Sequence, residues 1–324
     1  MDYAGIDSVV FGAQDLKLVR RLFGDWGLEK RSDTRSGLVF ATRLGSEVVV
    51  RRDNAPGLPP RLEGGSQFRE VIFGVSGRAQ LNRLGADLAR DRTVSVDADG
   101  TLHTIDDNGI GIGFRVWRHG KEAAQPGTAW NGPGHRSRID ATSPVYQSAQ
   151  PYKMGHIVFA VPDTRVAEAF YRKRLGFWLS DRYVGGAGVF LRWAKKSEHH
   201  NLFFVKSRTG KTDLHHIAFE VRDVHEVFGG GKAFAEKGWA TEIGPGRHPI
   251  SSAYFWYFKN PLGGAIEYFC DPDHVTEQWQ PSNYRVNRFA EWHLADGLGN
   301  GEDKSALARP SLAAVRAMVA QKID

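Results

Sequence analysis

The 324-residue chain is 41% apolar and 25% charged with a formal net charge of +6, the balance of a globular protein long enough for two domains. No apolar run approaches the roughly 18 residues of a membrane-spanning helix, and a single cysteine, Cys270, excludes an internal disulfide and fits a reducing cytoplasm. Basic residues are scattered, with nothing longer than VRRD and YRKR, so no nucleic-acid-binding stripe is expected; an acid at position 2 argues against a secretory leader.

In chain order, four segments repeat one design: an apolar strand, a polar break, then an amphipathic helix. They are DSVVFGAQDLKLVRRLFGDWGL, REVIFGVSGRAQLNRLGADL, GHIVFAVPDTRVAEAFYRKRLGF and HHIAFEVRDVHEVFGGGKAFAEKGW. In the third, Val166, Phe170 and the Tyr171/Leu175 pair are spaced for one helical face, and Gly176 marks the stop. Strand-like runs follow the helices, among them GLVFATRL, EVVVRR, GVFLRWA and NLFFVK. The repeated unit is therefore βαβββ, and the chain reads as four tandem modules. Two modules occupy residues 1–122 and two occupy 150–275, each pair curling a mixed sheet around a cavity. A Gly/Pro/Ser-rich linker fills 123–149, and 276–324 is a tail with a short helix at PSLAAVRAMVAQ.

The repeats differ where chemistry needs them to. At the start of the shared strand stand Ser8, Glu70, His156 and His216, and the strand carrying Glu267 has its apolar counterpart near Phe114. The second half thus brings two histidines and a carboxylate to one cavity from three strands. That is the donor set of a non-haem iron(II) facial triad, which leaves three positions on the metal open. It also supplies the cation that a glutamate in the apolar run GAIEYF requires. Strand parity sends His215 to the opposite face from His216, and cannot choose between His199 and His200. Cys270 reads as a small strand residue.

The run GRHPISSAYFWYFKNPLGGAIE resembles the signature of type I extradiol ring-cleaving dioxygenases in the vicinal oxygen chelate superfamily. It places His248, Tyr257, Asn260-Pro261-Leu262-Gly263 and Glu267 in the family's order, with Trp256 departing from its usual aliphatic residue. The resemblance extends to MGHIVFAV, EHHNLFFV and DLHHIAFEV, and implies an α+β fold of paired βαβββ modules. It implies metal ligands His156, His216 and Glu267, holding Fe(II) or, with the same donors, Mn(II). It implies acid–base residues His200, His248 and Tyr257, a catecholic substrate with O2, and a homo-oligomer.

For the substrate pocket, Ile243 and Ala290 stand where carboxylate-binding relatives carry arginine, and Val158 where they carry a polar residue. These changes imply a catechol with a neutral or apolar substituent; Arg192 and Arg247 keep an acidic one open. Within the same superfamily, hydroquinone dioxygenases, glyoxalase-type isomerases and metal-free binding proteins are the alternatives. An isomerase needs a second carboxylate, for which Glu220 is the nearest candidate.

Overall fold

The computed structural model describes residues 2–120, 127–295 and 297–298. The repeated design becomes, in the first module, β1 (Tyr3–Ala13), α1 (Leu16–Asp25), β2 (Glu29–Asp33), β3 (Gly37–Ala41) and β4 (Glu47–Arg52). Asp15 starts α1 because its carboxylate accepts from the backbone N–H of Lys17 and Leu18, both at 2.9 Å, leaving Leu16, Val19, Leu22 and Phe23 on the buried face. The second module is β5 (Phe68–Val75), α2 (Arg78–Leu88), β6 (Ser95–Val96), β7 (Leu102–Ile105) and β8 (Gly111–Val116). In the connecting stretch lies a small hairpin, β9 (Asn131–Gly132) with β10 (His135–Arg136).

The third module is β11 (Lys153–Val161), α3 (Thr164–Ala169), β12 (Trp178–Tyr183), β13 (Gly188–Arg192), β14 (Ser197–Glu198) and β15 (Leu202–Lys206). Its helix is shorter than the spacing predicts. After Ala169 the chain widens into one π turn, Phe170–Arg174, which keeps Ala167, Phe170, Tyr171 and Leu175 inside and turns Val166 outward at 40% exposure. The fourth module is β16 (Asp213–Glu220), α4 (Val224–Glu236), β17 (Thr241–Arg247), β18 (Tyr254–Lys259) and β19 (Ala265–Cys270). Three short strands follow: β20 (His274–Val275), β21 (Ser282–Tyr284) and β22 (Trp292–His293).

The two halves share one topology. The first sheet runs β2-β3-β4-β1-β5-β8-β7-β6, and the second β21-β12-β13-β15-β11-β16-β19-β18-β17-β22. In each, the leading strands of the two modules pair antiparallel at the centre, Val9 opposite Val71 and Ile157 opposite Ile217. The fold is α+β, with curled mixed sheets and helices on one face. Residues 282–293, assigned to a tail by the sequence, add a strand to each edge of the second sheet. The predicted tail helix at 310–321 lies outside the described residues.

Large side chains join the halves. Trp26 stacks on Tyr268 with ring centroids 3.5 Å apart and planes at 9°, and Phe68 meets Phe159 at 5.2 Å. Tyr3 donates to the carbonyl of Leu175 at 2.8 Å, and Tyr171 to Asp106 at 3.1 Å. Buried hydroxyls need such partners, so these contacts orient the halves as well as filling space.

Register corrects one sequence expectation. Ser8 pairs with Ile72 as His156 pairs with Ala218, and Ile72 pairs with Gly113 as Ala218 pairs with Glu267. The counterpart of Glu267 is therefore Gly113, not Phe114.

Candidate metal centre

The central ladder of the second sheet builds the site. Across four adjacent strands runs a row of paired residues: His156 on β11, Ala218 on β16, Glu267 on β19 and Tyr257 on β18. Ala218 is the small member, and over it His156 and Glu267 reach one another. His216, two residues before Ala218 on the same strand, joins from the same face.

The result is a close triangle. His156 Nε2 and His216 Nε2 stand 3.2 and 3.3 Å from Glu267 Oε2, and 3.3 Å from each other. All three residues are buried, Glu267 completely. Neither oxygen of Glu267 has a hydrogen-bond partner. A buried carboxylate without donors is costly unless a cation balances it. Ligands at about 2.1 Å from an ion and at right angles stand about 3 Å apart, so the spacing suits one divalent cation. Among the described residues this is the one cluster of metal-ligating side chains within such reach.

A contact of His216 is compatible with the tautomer that ligation requires. His216 Nδ1 lies 2.8 Å from His215 Nδ1. One of the two nitrogens carries the proton, and a proton on His216 Nδ1 leaves its Nε2 lone pair for the metal. This contact overturns the parity expectation for His215. The β11–β16 register steps from Val158–His216 to Phe159–Leu214, so His215 is a bulge residue and lines the cavity instead of facing away. Burial, partly opposed by Glu267, lowers the His216 pKa below its ordinary value. For Glu267 burial is outweighed by the contacts of His156 and His248 and the electrostatic effect of the neighbouring imidazoles, and its carboxyl sits well below the usual range.

The doublet that sequence left open separates cleanly. His200 lines the cavity, its ring centroid 4.5 Å from that of His156, while His199 is fully buried behind it. His199 Nε2–H donates to Asp181 Oδ2 at 3.0 Å, and its Nδ1 lies 3.2 Å from His200 Nδ1. With its Nε2 proton committed to Asp181, His199 Nδ1 can accept from His200 Nδ1–H, which leaves His200 Nε2 as a base. Asp181 is itself fully buried and accepts from Ser282 N at 2.6 Å and Tyr284 Oη at 3.2 Å. Asn201 fixes the turn, donating to the Gly155 carbonyl at 3.2 Å and accepting from Ser197 Oγ at 2.8 Å. Burial, then the neighbouring histidines, depress the His200 pKa, so the ring is neutral at pH 7.

On the other side His248 Nδ1–H donates to the Phe289 carbonyl at 2.5 Å, and His248 Nε2 accepts from Tyr257 Oη at 3.2 Å. Burial and the nearby Glu267 raise the Tyr257 pKa well above its ordinary value, keeping it a hydroxyl donor. The cavity over these groups measures about 380 Å3. Its walls include Phe190 and Phe203, stacked at 4.0 Å, with Val205, Ile250, Phe269 and Phe289, and also Arg208, Asn287 and Arg288. Gly155 makes room for Phe269, whose ring a Cβ at that position would meet at 2.2 Å.

The four residues that sequence proposed for substrate contact stand elsewhere. Val158, opposite His216 in the ladder, is fully buried outside the cavity lining. Ile243 packs behind Tyr257 against Phe255 and Ala265, beside Ala290. Arg192 is buried and donates to the carbonyls of Leu179 and Thr276, at 2.7 and 3.1 Å, tying the C-terminal segment to β12. Arg247 pairs with Glu291 and covers the Tyr254 ring. Glu220 pairs with Lys153 at 3.1 Å and is also outside the lining.

Sequence reasoning missed Asp181, Phe190, Phe203 and Phe289. Phe190 and Phe203 do alternate with core positions in GVFLRWA and NLFFVK, a period-two signal that marks the cavity face. Asp181 and Phe289 carry no such signal, since long-range contacts bring them in.

Comparison with known proteins agrees with this geometry. Residues 153–276 match the profile of the Glyoxalase/Bleomycin resistance protein/Dioxygenase superfamily. Metapyrocatechase 2 of Cupriavidus necator is 31% identical over 198 residues, 61% of this chain and 60% of that protein. The 3-methylcatechol 2,3-dioxygenase of Pseudomonas putida is 32% identical over 147 residues, 43% of this chain and 48% of that one. The matches thus span about half to three fifths of these relatives.

In fold, a Mn(II)-bound glyoxalase from Novosphingobium aromaticivorans superposes with a TM-score of 0.72 at 20% identity, covering 91% of this chain and 92% of that one. A catechol 2,3-dioxygenase superposes with a TM-score of 0.65 at 16% identity, covering 92% and 97%. Residues 153–276 thus match the Glyoxalase/Bleomycin resistance protein/Dioxygenase superfamily model, and the described chain shares its fold with solved catechol dioxygenases.

Proposed function

We propose that the protein is an extradiol dioxygenase that opens catechols beside the diol with O2, using a mononuclear Fe(II) held by His156, His216 and Glu267. The observation that carries this reading is the buried carboxylate of Glu267, its two oxygens without donors and one within 3.3 Å of both imidazoles. When bound, the ion lowers the pKa of a ligated catechol and brings diol and dioxygen into one coordination sphere.

The residues around it divide the proton work. His200, neutral and with Nε2 free, takes a substrate proton and returns it as negative charge develops on oxygen. Tyr257 stays protonated; its single O–H, directed at His248 Nε2 at 3.2 Å, turns to a substrate oxygen when catechol binds, while the Phe289 carbonyl fixes His248. Phe190, Phe203 and Phe269 exclude water, which strengthens these interactions. The product is a semialdehyde-type ring-fission acid of aromatic degradation.

The aromatic and aliphatic part of the lining supports a catechol whose substituent is neutral or apolar, while Arg208 and Arg288 at the same cavity leave an acidic one open. That reading now rests on Phe190, Phe203, Val205 and Ile250 rather than on Val158 and Ile243. Mn(II) is the second reading for the ion, favoured by the Mn(II)-bound glyoxalase of the same fold. Isomerisation has less support, because Glu267 is the one carboxylate at this cavity among the described residues. A cytoplasmic homo-oligomer completes the proposal. Among the described residues no helix is long and apolar enough to cross a membrane.

The test is oxygen uptake with a panel of substituted catechols, run with metal analysis on the same sample. Uptake matched by a yellow product, greatest for alkyl- or aryl-catechols, supports the proposal. Iron-loaded protein that consumes no oxygen with any catechol refutes it.

A further inference from the structure

The first sheet curls around a hollow of its own, of about 750 Å3. The ladders relate it to the metal centre position by position. Glu70 pairs with Gly111 as His216 pairs with Ala265, and His103 pairs with Gly113 as Tyr257 pairs with Glu267. Ser8, Glu70, Gly113 and His103 therefore occupy the places of His156, His216, Glu267 and Tyr257. Ser8, Glu70 and His103 line the hollow.

This is not a second metal centre. Gly113 supplies no ligand, and a Cβ there would meet Ile72 Cγ1 at 2.9 Å and Glu70 Oε1 at 3.1 Å. Both ring nitrogens of His103 are engaged, Nδ1 at 2.8 Å from Glu70 Oε1 and Nε2 at 3.2 Å from Asp97 Oδ2. Nothing in ring cleavage uses these groups either.

They are nonetheless built for a ligand. Ser8 is fully buried and its Oγ has no hydrogen-bond partner, an arrangement uncommon in folded proteins. Glu70, 3% exposed and lining the same hollow, offers an acceptor. The walls above are aliphatic: Val10, Val49, Ile72 and Leu58, with Pro59. At the mouth Val96 and Ile105 are 65% and 41% exposed, large apolar side chains left facing water.

Charge narrows the class. The Glu70 carboxylate disfavours an anion at the floor, and Arg51, Arg92 and Arg115 disfavour a cation. A neutral hydroxyl satisfies both polar groups at once, donating to Glu70 and accepting from Ser8. Arg51 and the flat face of Pro59 suit an aromatic ring better than an aliphatic one, Arg92 being stacked on Phe170 and Arg115 paired with Asp7 and Asp99.

We propose that the N-terminal hollow is a second, non-catalytic binding site for a neutral hydroxylated aromatic molecule, with Ser8 and Glu70 receiving its hydroxyl. The site stands whether or not the C-terminal cavity cleaves catechols. Phenol is the probe, because it lacks the diol needed for cleavage and for two-point ligation.

Titration calorimetry of phenol into the full metal-loaded chain is compared with Ser8→Ala and Glu70→Gln, each checked for folding by circular dichroism. We expect each substitution to weaken one phenol equivalent about tenfold, the worth of a buried hydrogen bond. Any equivalent held by the C-terminal cavity stays unchanged, so loss at the first hollow is read separately. Val49→Trp, which fills the hollow, abolishes that equivalent. Wild-type affinity in folded Ser8→Ala and Glu70→Gln, or no phenol bound by the wild type at millimolar concentration, overturns the proposal. Equal affinity for cyclohexanol overturns the aromatic assignment.

Discussion

Asp181→Asn is the most informative change at the metal centre, because it alters hydrogen-bond polarity with almost no change of shape. Asp181 touches neither the cavity nor the triad. Its carboxylate accepts three hydrogen bonds, from Ser282 N, His199 Nε2 and Tyr284 Oη. An asparagine keeps one oxygen, which the buried Ser282 N–H at 2.6 Å claims first. Its amide then donates toward His199 Nε2, and the His199 proton moves to Nδ1. That proton faces His200 Nδ1 at 3.2 Å and forces the His200 proton onto Nε2. The base is lost from the cavity two side chains away from the substitution.

General-base catalysis is worth about 10^2–10^4-fold, and a wrong imidazole tautomer forfeits most of it. We expect kcat for ring cleavage to fall about 10^2–10^3-fold, or about 2.7–4 kcal/mol of barrier. Iron content should stay unchanged, and KM should change less than kcat. The assay is steady-state oxygen uptake across pH on samples of measured iron content. A variant with wild-type kcat and full iron refutes the tautomer relay. A variant that has lost its iron instead makes Asp181 a structural support of the triad.

Three further changes test other links. Glu267→Ala should leave the metal unbound, since two neutral imidazoles supply no balancing charge; full occupancy by metal analysis would contradict the triad. His200→Phe should retain the metal yet slow turnover by about 10^2-fold or more, and normal turnover would remove His200 from the chemistry. Asp106, nine-tenths buried or more, has its carboxyl pushed up to about 6 by burial, despite hydrogen bonds from Ile110, Asn108 and Tyr171. Because this folded value exceeds the unfolded one of about 3.9, its contribution is full below pH 4 and is lost as pH rises through 6. Asp106→Asn should therefore gain about 1–3 kcal/mol relative to the wild type on going from pH 5 to pH 8. Denaturant unfolding at the two pH values checks this, and an equal difference at both would refute it.

Much of the fold was legible in the chain. Alternating apolar residues and the repeated strand–helix order are local signals, and they foretold the elements of the four modules apart from the shortened third helix. His156, His216 and Glu267 stood out because the repeats made their absence from the first half visible. The bond from Asp181 to His199 was not legible, because the two lie on different strands and only the folded chain joins them. Arg192 looked like a substrate contact and is a buried tie to residue 276.

The sequence by itself determined the main strands and helices of the four modules, though not the short strands at 131–136 and 274–293, and which side chains are available to hold a metal. Tertiary structure decided where those side chains point. The bulge at His215 turns that histidine into the cavity against strict alternation, and the same slip recurs at Arg69 in the first half. Register placed Gly113 opposite Glu267's position, and the edge strands of residues 282–293 brought Phe289 to the cavity wall. Pairing between strands is set by contacts distant in sequence, and a one-residue slip exchanges the two faces of a strand. A local pattern therefore marks the main strands and says hardly anything of their partners.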